Sequence, residues 1–154
     1  MSLLPQAITA AVLVTLTICV QSAGMAVLIH WGRFRFAHGM HRLRPLRSTA
    51  LMIRFTSLMI GLHLMQIALW AGIYRWRCFP SWESAFYFSM TSYSTVGYGD
   101  LVPPPMWRML GPLESVTGVL MCGLSVGLLF AIVTRLVGRQ ETQISSDPDM
   151  PPVS

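Results

Sequence analysis

The run Thr95-Val96-Gly97-Tyr98-Gly99-Asp100 decides how the rest of the chain is interpreted. A short aromatic segment at residues 82–94 precedes this run, and three consecutive prolines at residues 103–105 follow it. Apolar stretches long enough to span a membrane lie on both sides. Because glycine reaches positive φ at little cost, the two glycines let the backbone leave helix and strand geometry at intervals. A surface turn would also use Gly and Asp, but it would not account for the Thr-Val pair or for the apolar neighbours.

The composition is that of a membrane protein. Of the 154 residues, 53% are hydrophobic and 11% are charged, whereas a soluble domain carries about 25% charged residues. The mean hydropathy is +0.55, and the length leaves room for a few helices and no separate soluble domain. The net charge is +5, and its arginines cluster beside apolar stretches. This clustering favours a role in membrane orientation over binding of nucleic acid.

Three apolar stretches predict three membrane-spanning helices, at residues 1–31, 48–74 and 106–137. The apolar stretch of the first has no charged residue and is long enough for a hydrocarbon core of ~30 Å. A secretory signal fits poorly, because no Arg or Lys precedes the stretch and no good small-residue cleavage site follows it. The expected fold class is therefore an all-α membrane protein.

Residues 82–94 are too few to cross a membrane, yet they begin as a helix should. Ser81 is placed to act as the N-cap, and Glu83 falls in the first turn, where an acid is favoured. We expect a re-entrant helix here, followed by a loop that returns to the surface. Non-helical backbone at that depth is tolerated only where it lines water or is buried in protein.

Charge distribution predicts the orientation. Residues 32–47 carry five arginines and no acid, so they are expected to form a cytoplasmic loop. The same arginines suit anionic lipid head groups, which is a second use and not an exclusive one. The N-terminus is then outside, and residues 140–154, which are polar and contain proline, form a disordered cytoplasmic tail.

The six-residue run resembles the selectivity filter of potassium channels, whose pattern reads Thr-Val-Gly-Tyr-Gly-Asp, and all six positions match. The resemblance is to small bacterial potassium channels with a single pore loop per chain, the two-helix pore-domain family, and it covers residues 48–139. In that family's terms the order is outer helix 48–74, pore helix 82–94, filter 95–100 and inner helix 106–137. The first helix is an addition to this pattern.

The resemblance implies a homotetramer in a cell membrane that conducts K⁺ and needs no cofactor. In such filters backbone carbonyls replace the water that the ion sheds. The matching ion-coordinating strand is Thr95, Val96, Gly97, Tyr98 and Gly99, with K⁺ bound at the first four positions. A single strand cannot surround an ion, so the chain must associate with others.

Residues around the filter partly depart from the family pattern. Asp100 matches the acid behind the outer mouth. Tyr87 and Phe88 stand where paired tryptophans are common; Tyr87 can offer a hydroxyl to Asp100, whereas Phe88 cannot donate a hydrogen bond to Tyr98. Thr91 replaces a glutamate of the two-helix bacterial channels. These departures leave selectivity intact and put inactivation behaviour in doubt.

Candidate gating residues lie on the second and third spanning helices. The best match to the family's gating glycine is Gly123, with Gly127 second. His63 and Gln66 lie deep in the outer helix, where polar groups usually face protein. We expect interhelical hydrogen bonds from them, and a contact that tunes gating is the alternative. Glu114 is expected in the first turn of the inner helix, where the dipole favours an anion.

The sequence thus predicts a potassium-selective channel, and two other functions remain open. One is a non-conducting or regulatory channel subunit. The other is the translocating subunit of a cation-uptake system that needs a partner, although such subunits usually carry four degenerate loops. An enzyme is not expected, because no paired acid and base, metal cluster or phosphate loop is visible. The gating stimulus and the role of the first helix are not indicated.

Overall fold

The computed structural model describes residues 4–37 and 45–145, with side chains over residues 4–32 and 49–134. All regular structure in these ranges is helical. The elements are α1 (Leu4–Ala37), α2 (Pro45–Arg77), α3 (Trp82–Tyr93), a 3₁₀ turn (Pro105–Trp107) and α4 (Leu110–Ser145).

Three segments are long and apolar enough to cross a membrane: Leu4–Gly32, Thr49–Arg77 and Pro105–Thr134. The short helix α3 has 12 residues and is only about 18 Å long at 1.5 Å per residue. The predicted fold class, an all-α membrane protein with three spanning helices and a short helix between the second and third, is confirmed.

Both bounds of the predicted loop at residues 32–47 are wrong. The expected loop at 32–47 is helical at both ends, because α1 continues to Ala37 and α2 begins at Pro45. Proline suits that position, since the first turn of a helix needs no N–H donor there. Residues 38–44 lie outside the described residues, and so does the predicted lipid contact of the arginine side chains.

The predicted disordered tail begins too early. Helix α4 continues through residues 140–145 and ends at Ser145. These six residues contain no Pro or Gly, and Pro148 is the next residue that cannot join a helix interior. Residues 146–154 lie outside the described part of the chain.

The inner helix also starts later than predicted. A 3₁₀ turn covers residues 105–107, and the α-helix begins at Leu110. Pro112 is tolerated because it falls among the first N–H groups, which have no partner inside the helix. Glu114 is therefore beyond the first turn, and its side chain is fully buried against α3.

Residues from all four helices meet in one apolar cluster: Ala10, Leu13, Trp70, Tyr74, Ala85, Trp107 and Leu110. A second cluster joins α1, α2 and α4 through Leu28, Phe55, Met59 and Ile132. Lipid chains are as apolar as these residues, so close packing and hydrogen bonds, rather than exclusion of water, hold such helices together.

Aromatic residues at the end of α2 and the start of α3 differ in exposure. Trp76 and Trp82 are exposed. Tyr74 is fully buried, with its ring edge-on to Phe88 and the ring centroids 4.8 Å apart.

Candidate functional site

Helix α3 delivers the chain to the six-residue run. Its start is capped by Ser81, whose Oγ accepts a hydrogen bond from the Ser84 N–H at 3.1 Å, and Glu83 lies in its first turn. Both features agree with the sequence prediction. The helix ends at Tyr93, and the Ser94 N–H still donates to the Met90 carbonyl at 3.1 Å.

The backbone of the run alternates its handedness. φ is 63° at Thr95, 52° at Gly97 and 77° at Gly99, and no other described residue has a positive φ. A Cβ added at either glycine would meet nothing within 4 Å. Backbone conformation, not crowding within the chain, therefore demands glycine at these two positions.

The positive φ of Thr95 is the feature of the run that the sequence did not indicate. A β-branched residue with positive φ is an outlier, and such conformations cost about 1–3 kcal/mol and persist only where surrounding structure enforces them. Two hydrogen bonds hold this turn: Thr95 N–H to the Ser92 carbonyl and Gly97 N–H to the Thr91 carbonyl, both at 3.0 Å.

Tyr87 makes the contact expected of it. Its hydroxyl donates to Asp100 Oδ2 at 2.8 Å, and Asp100 Oδ1 accepts from the Leu101 N–H at 3.0 Å. The hydrogen bond to the carboxylate raises the pKa of the Tyr87 hydroxyl above its usual value. The Tyr98 ring lies nearly parallel to that of Tyr87, with centroids 6.4 Å apart.

Phe88 and Thr91, the other predicted support residues, make contacts of a different kind. The Phe88 ring packs against Tyr74 and Phe79, with centroids at 4.8 and 5.2 Å, so it anchors α3 to the outer helix. The Thr91 hydroxyl donates to the Phe88 carbonyl at 3.0 Å. It is the main-chain carbonyl of Thr91, not its side chain, that contacts the loop.

Glycines of α4 divide into two kinds. Gly123 and Gly127, the predicted hinge residues, have nothing within 4 Å of an added Cβ, and the helix runs through both without a break. A Cβ at Gly118 would instead overlap the main-chain carbonyl of Tyr93. Gly118 thus permits the close approach of α4 to the end of α3.

Deep polar residues of α2 form the interhelical hydrogen bonds that the sequence predicted. His63 Nδ1 lies 2.8 Å from the Tyr93 hydroxyl, and Gln66 Oε1 accepts from that hydroxyl at 2.5 Å. Gln66 in turn donates to Gln21 of α1 at 2.6 Å. Gln21 was missed because it is one of a few polar residues in a mostly apolar helix, and the local pattern does not show which neighbour it faces.

Glu114 is held by α3. Its Oε1 lies 2.5 Å from Ser89 Oγ, which also contacts the Ile67 carbonyl at 2.9 Å. The second oxygen of Glu114 has no hydrogen-bond partner, and neither has the Tyr74 hydroxyl. Through this contact the buried acid joins α4 to the buried face of α3. The six-residue run is exposed on the surface of the single chain.

Comparison with known proteins gives one family and several partial relatives. A family described as ion channel matches residues 55–135. The chain is 34% identical over 90 residues to the inward rectifier potassium channel Kirbac3.1 of Paramagnetospirillum magnetotacticum, which covers 53% of this chain and 30% of that protein. It is 33% identical over 82 residues to potassium voltage-gated channel subfamily A member 2 of Xenopus laevis, covering 47% and 16% respectively.

These matches are local. The chain spans less than a third of the length of these curated relatives, and no solved structure gives a significant match. The family match begins inside α2 and ends inside α4, so it contains α3 and the six-residue run and leaves α1 outside.

Proposed function

Because the chain belongs to the ion channel family, we propose that it forms a homotetrameric, potassium-selective channel that conducts K⁺ passively. The proposed activity is transport and not catalysis. Both relatives compared above are named as potassium channels, which supports the choice of ion.

The alternation of φ at residues 95, 97 and 99 carries this proposal. An ordinary strand points successive carbonyl groups to opposite sides. Alternation between left- and right-handed φ turns successive peptide planes the same way, so that the carbonyls of Thr95, Val96, Gly97 and Tyr98 can share one side. Rings of such carbonyls replace the hydration shell of K⁺. The Thr95 hydroxyl adds an oxygen at the inner end.

Association follows from the exposure of this strand. Every residue from Ser94 to Asp100 is exposed in the single chain, with Val96 at 53% and Tyr98 at 71%. Irregular backbone cannot face lipid, and one strand cannot enclose an ion. Four copies around one axis satisfy both requirements, because each strand then lines a water-filled path and Tyr98 gains a neighbouring chain to pack against.

The remaining predicted residues take supporting roles in this proposal. Asp100 and Tyr87 brace the outer end of the filter through their hydrogen bond. Thr91 braces its inner part through the main chain, and Phe88 fixes the pore helix to α2. Gly123, or Gly127 after it, allows α4 to bend when the pore opens.

The proposed orientation has both the N-terminus and the filter mouth outside a cell membrane and the end of α4 in the cytoplasm. A hydrogen bond from the Met109 N–H to Gln6 Oε1, at 3.3 Å, supports it. This contact puts the beginning of α1 beside the loop that carries the filter. The first helix then leads inward, as the arginine-rich segment requires.

Ion flux from purified protein in liposomes tests the proposal. We expect uptake of K⁺ that barium blocks, and no comparable uptake of Na⁺ under an equal gradient. Equal flux of the two cations would refute selectivity. Flux of neither ion, together with a monomeric state, would refute the channel and favour a subunit that needs a partner chain.

A further inference from the structure

Five polar side chains behind the filter form a closed ring of hydrogen bonds that includes all four helices. Gln21 belongs to α1, His63 and Gln66 to α2, Tyr93 to α3 and Ser125 to α4. The successive donor–acceptor distances are 3.0 Å from Gln21 to Ser125, 3.0 Å from Ser125 to His63, 2.8 Å from His63 to Tyr93, 2.5 Å from Tyr93 to Gln66 and 2.6 Å from Gln66 to Gln21.

Counting protons shows that the ring is complete. The single hydroxyl proton of Tyr93 goes to Gln66 Oε1, so Tyr93 must accept from His63 Nδ1. A neutral imidazole with its proton on Nδ1 then accepts at Nε2 from Ser125, which accepts from Gln21. Each member donates once and accepts once around the ring.

Four of the five members of the ring are buried, and His63 is partly buried. The exposed fraction is 0% for Gln66, 1% for Gln21, 3% for Tyr93 and 6% for Ser125. A buried polar group that loses its partner has no water to replace it, and removing one member leaves its neighbours unsatisfied.

The hydrogen-bond ring lies beside the end of α3, where the proposed ion path begins. Tyr93 is the last residue of α3 and lies two residues before Thr95, where the left-handed φ begins. On the side of α4, Ser115 Oγ donates to the Ser92 carbonyl at 2.7 Å, and Gly118 faces the Tyr93 carbonyl. The ring supplies the contact to α1 and α2, so three helices, α1, α2 and α4, hold the end of α3.

We propose that α1 is a positioning element of the filter, and that Gln21 acts through the ring to fix the end of α3. This inference rests on the proposed function, because it gives a role in ion selection to a helix outside the family match. Gln21 and Gln66 are then positioning residues. They touch no ion, and they fix the position of the backbone whose carbonyls bind it.

The chain provides a matched control for ordinary helix packing. Trp70 Nε1 donates to Thr17 Oγ1 at 3.0 Å, and both residues are fully buried. Thr17 lies one turn before Gln21 on α1, and its bond joins α1 to α2 without involving α3. Thr17→Val removes a buried bond between the same two helices while leaving the ring intact.

The test compares Gln21→Leu, Tyr93→Phe and Thr17→Val in the purified, full-length protein. Thermal unfolding in NaCl reports the structural loss common to all three. The additional stabilisation on replacing Na⁺ by K⁺ reports ion binding at the filter, because a ligand stabilises only the state that binds it. Flux in liposomes then gives the ratio of K⁺ to Na⁺ permeability.

We expect Gln21→Leu and Tyr93→Phe to lose most of the K⁺-specific stabilisation and to lower the permeability ratio about tenfold, which corresponds to about 1.4 kcal/mol. Thr17→Val should unfold at a lower temperature in both salts and keep the K⁺ increment and the ratio. Tyr93→Phe keeps the volume of the aromatic side chain. It therefore tests whether the hydrogen-bond ring acts on the filter if Gln21→Leu does not fold.

Other results would overturn the proposal in separable ways. If Gln21→Leu or Tyr93→Phe keeps the K⁺ increment and the ratio, or if Thr17→Val shifts them equally, α1 is only packing. If the wild-type protein shows neither flux nor a K⁺ increment, the proposed function fails, and the positioning role fails with it.

Discussion

Three residues of the proposed filter loop hold a positive φ, and only two of them are glycines. Alanine pays roughly 1–2 kcal/mol in the left-handed region, and in the proposed tetramer each substitution would be present four times. Gly97→Ala or Gly99→Ala should therefore abolish K⁺ selectivity in the liposome assay. Gly72→Ala is the control, since Gly72 lies within helix α2 and an added Cβ there also meets nothing within 4 Å. Retained selectivity in the two loop variants would refute the assignment of the filter.

What the sequence could indicate at this scale depended on local chemistry. Gly97 and Gly99 were predictable because glycine tolerates positive φ without help, whereas the left-handed Thr95 is imposed by the surrounding turn. Tyr87 and Asp100 are 13 residues apart on a short helix and its following loop, and their bond was expected. Gln21 and Ser125 are 104 residues apart, and no local pattern links them.

Among the elements, α4 approaches α3 at one point where no side chain fits. A Cβ at Gly118 would overlap a main-chain carbonyl, which cannot rotate away. We expect Gly118→Ala to push α4 from the end of α3, so that assembled protein is lost or loses selectivity.

Gly123→Ala is the comparison, because its Cβ has free space in the chain and should leave assembly intact while changing open probability. Size-exclusion chromatography and single-channel recording separate the two effects. Normal assembly and selectivity of Gly118→Ala would show that α4 does not need this close contact. Unchanged gating of Gly123→Ala would move the hinge to Gly127 or remove it.

The second contact between α3 and α4 uses a buried acid. Ser89 has one hydroxyl proton and lies within bonding distance of both the Ile67 carbonyl and Glu114 Oε1. Both bonds form only if Glu114 supplies a proton, so the geometry favours a neutral carboxyl. Glu114→Gln should then change the free energy of unfolding by less than about 1 kcal/mol.

Glu83→Gln is the matched control, since Glu83 is exposed in the first turn of α3, where the dipole favours a charge. Thermal unfolding of both variants in detergent gives the comparison. A large loss for Glu114→Gln would mean that this buried group is charged in the folded protein.

The extent of the helices was predictable in their apolar centres and not at their ends. Membrane length fixes the centre of a span, but α1 and α4 extend beyond it for as long as the residues tolerate a helix. Glu114 was misplaced because the start of the inner helix could not be predicted either. The inner helix begins only after the 3₁₀ turn, so the acid lies inside the packed region rather than at the helix start.

For the whole molecule, α1 is part of the packed bundle and not an appendage. Besides Gln21, it contributes a buried Thr17 to α2 and Gln6 to the start of α4. The first helix therefore contacts α2 and the beginning and middle of α4 through residues 6–21. Its apolar composition indicated only a membrane span, because a few polar residues among many apolar ones do not show which neighbour they face.

Subunit mixing tests the tetramer without requiring its structure. If four strands form one filter and a single defective strand spoils it, flux should fall as the fourth power of the wild-type fraction. Co-expression of equal amounts of wild-type and Gly99→Ala chains should then leave about one-sixteenth of the selective flux. A dimeric pore would leave about one-quarter, and independent chains about one-half, because the exponent equals the number of strands around the ion.

Co-expression with Gly72→Ala should leave the flux unchanged and so controls for expression. An exponent near four would establish that the ion passes between four copies of this chain, whereas an exponent of one would place the whole conduction path within a single copy and refute the proposed assembly.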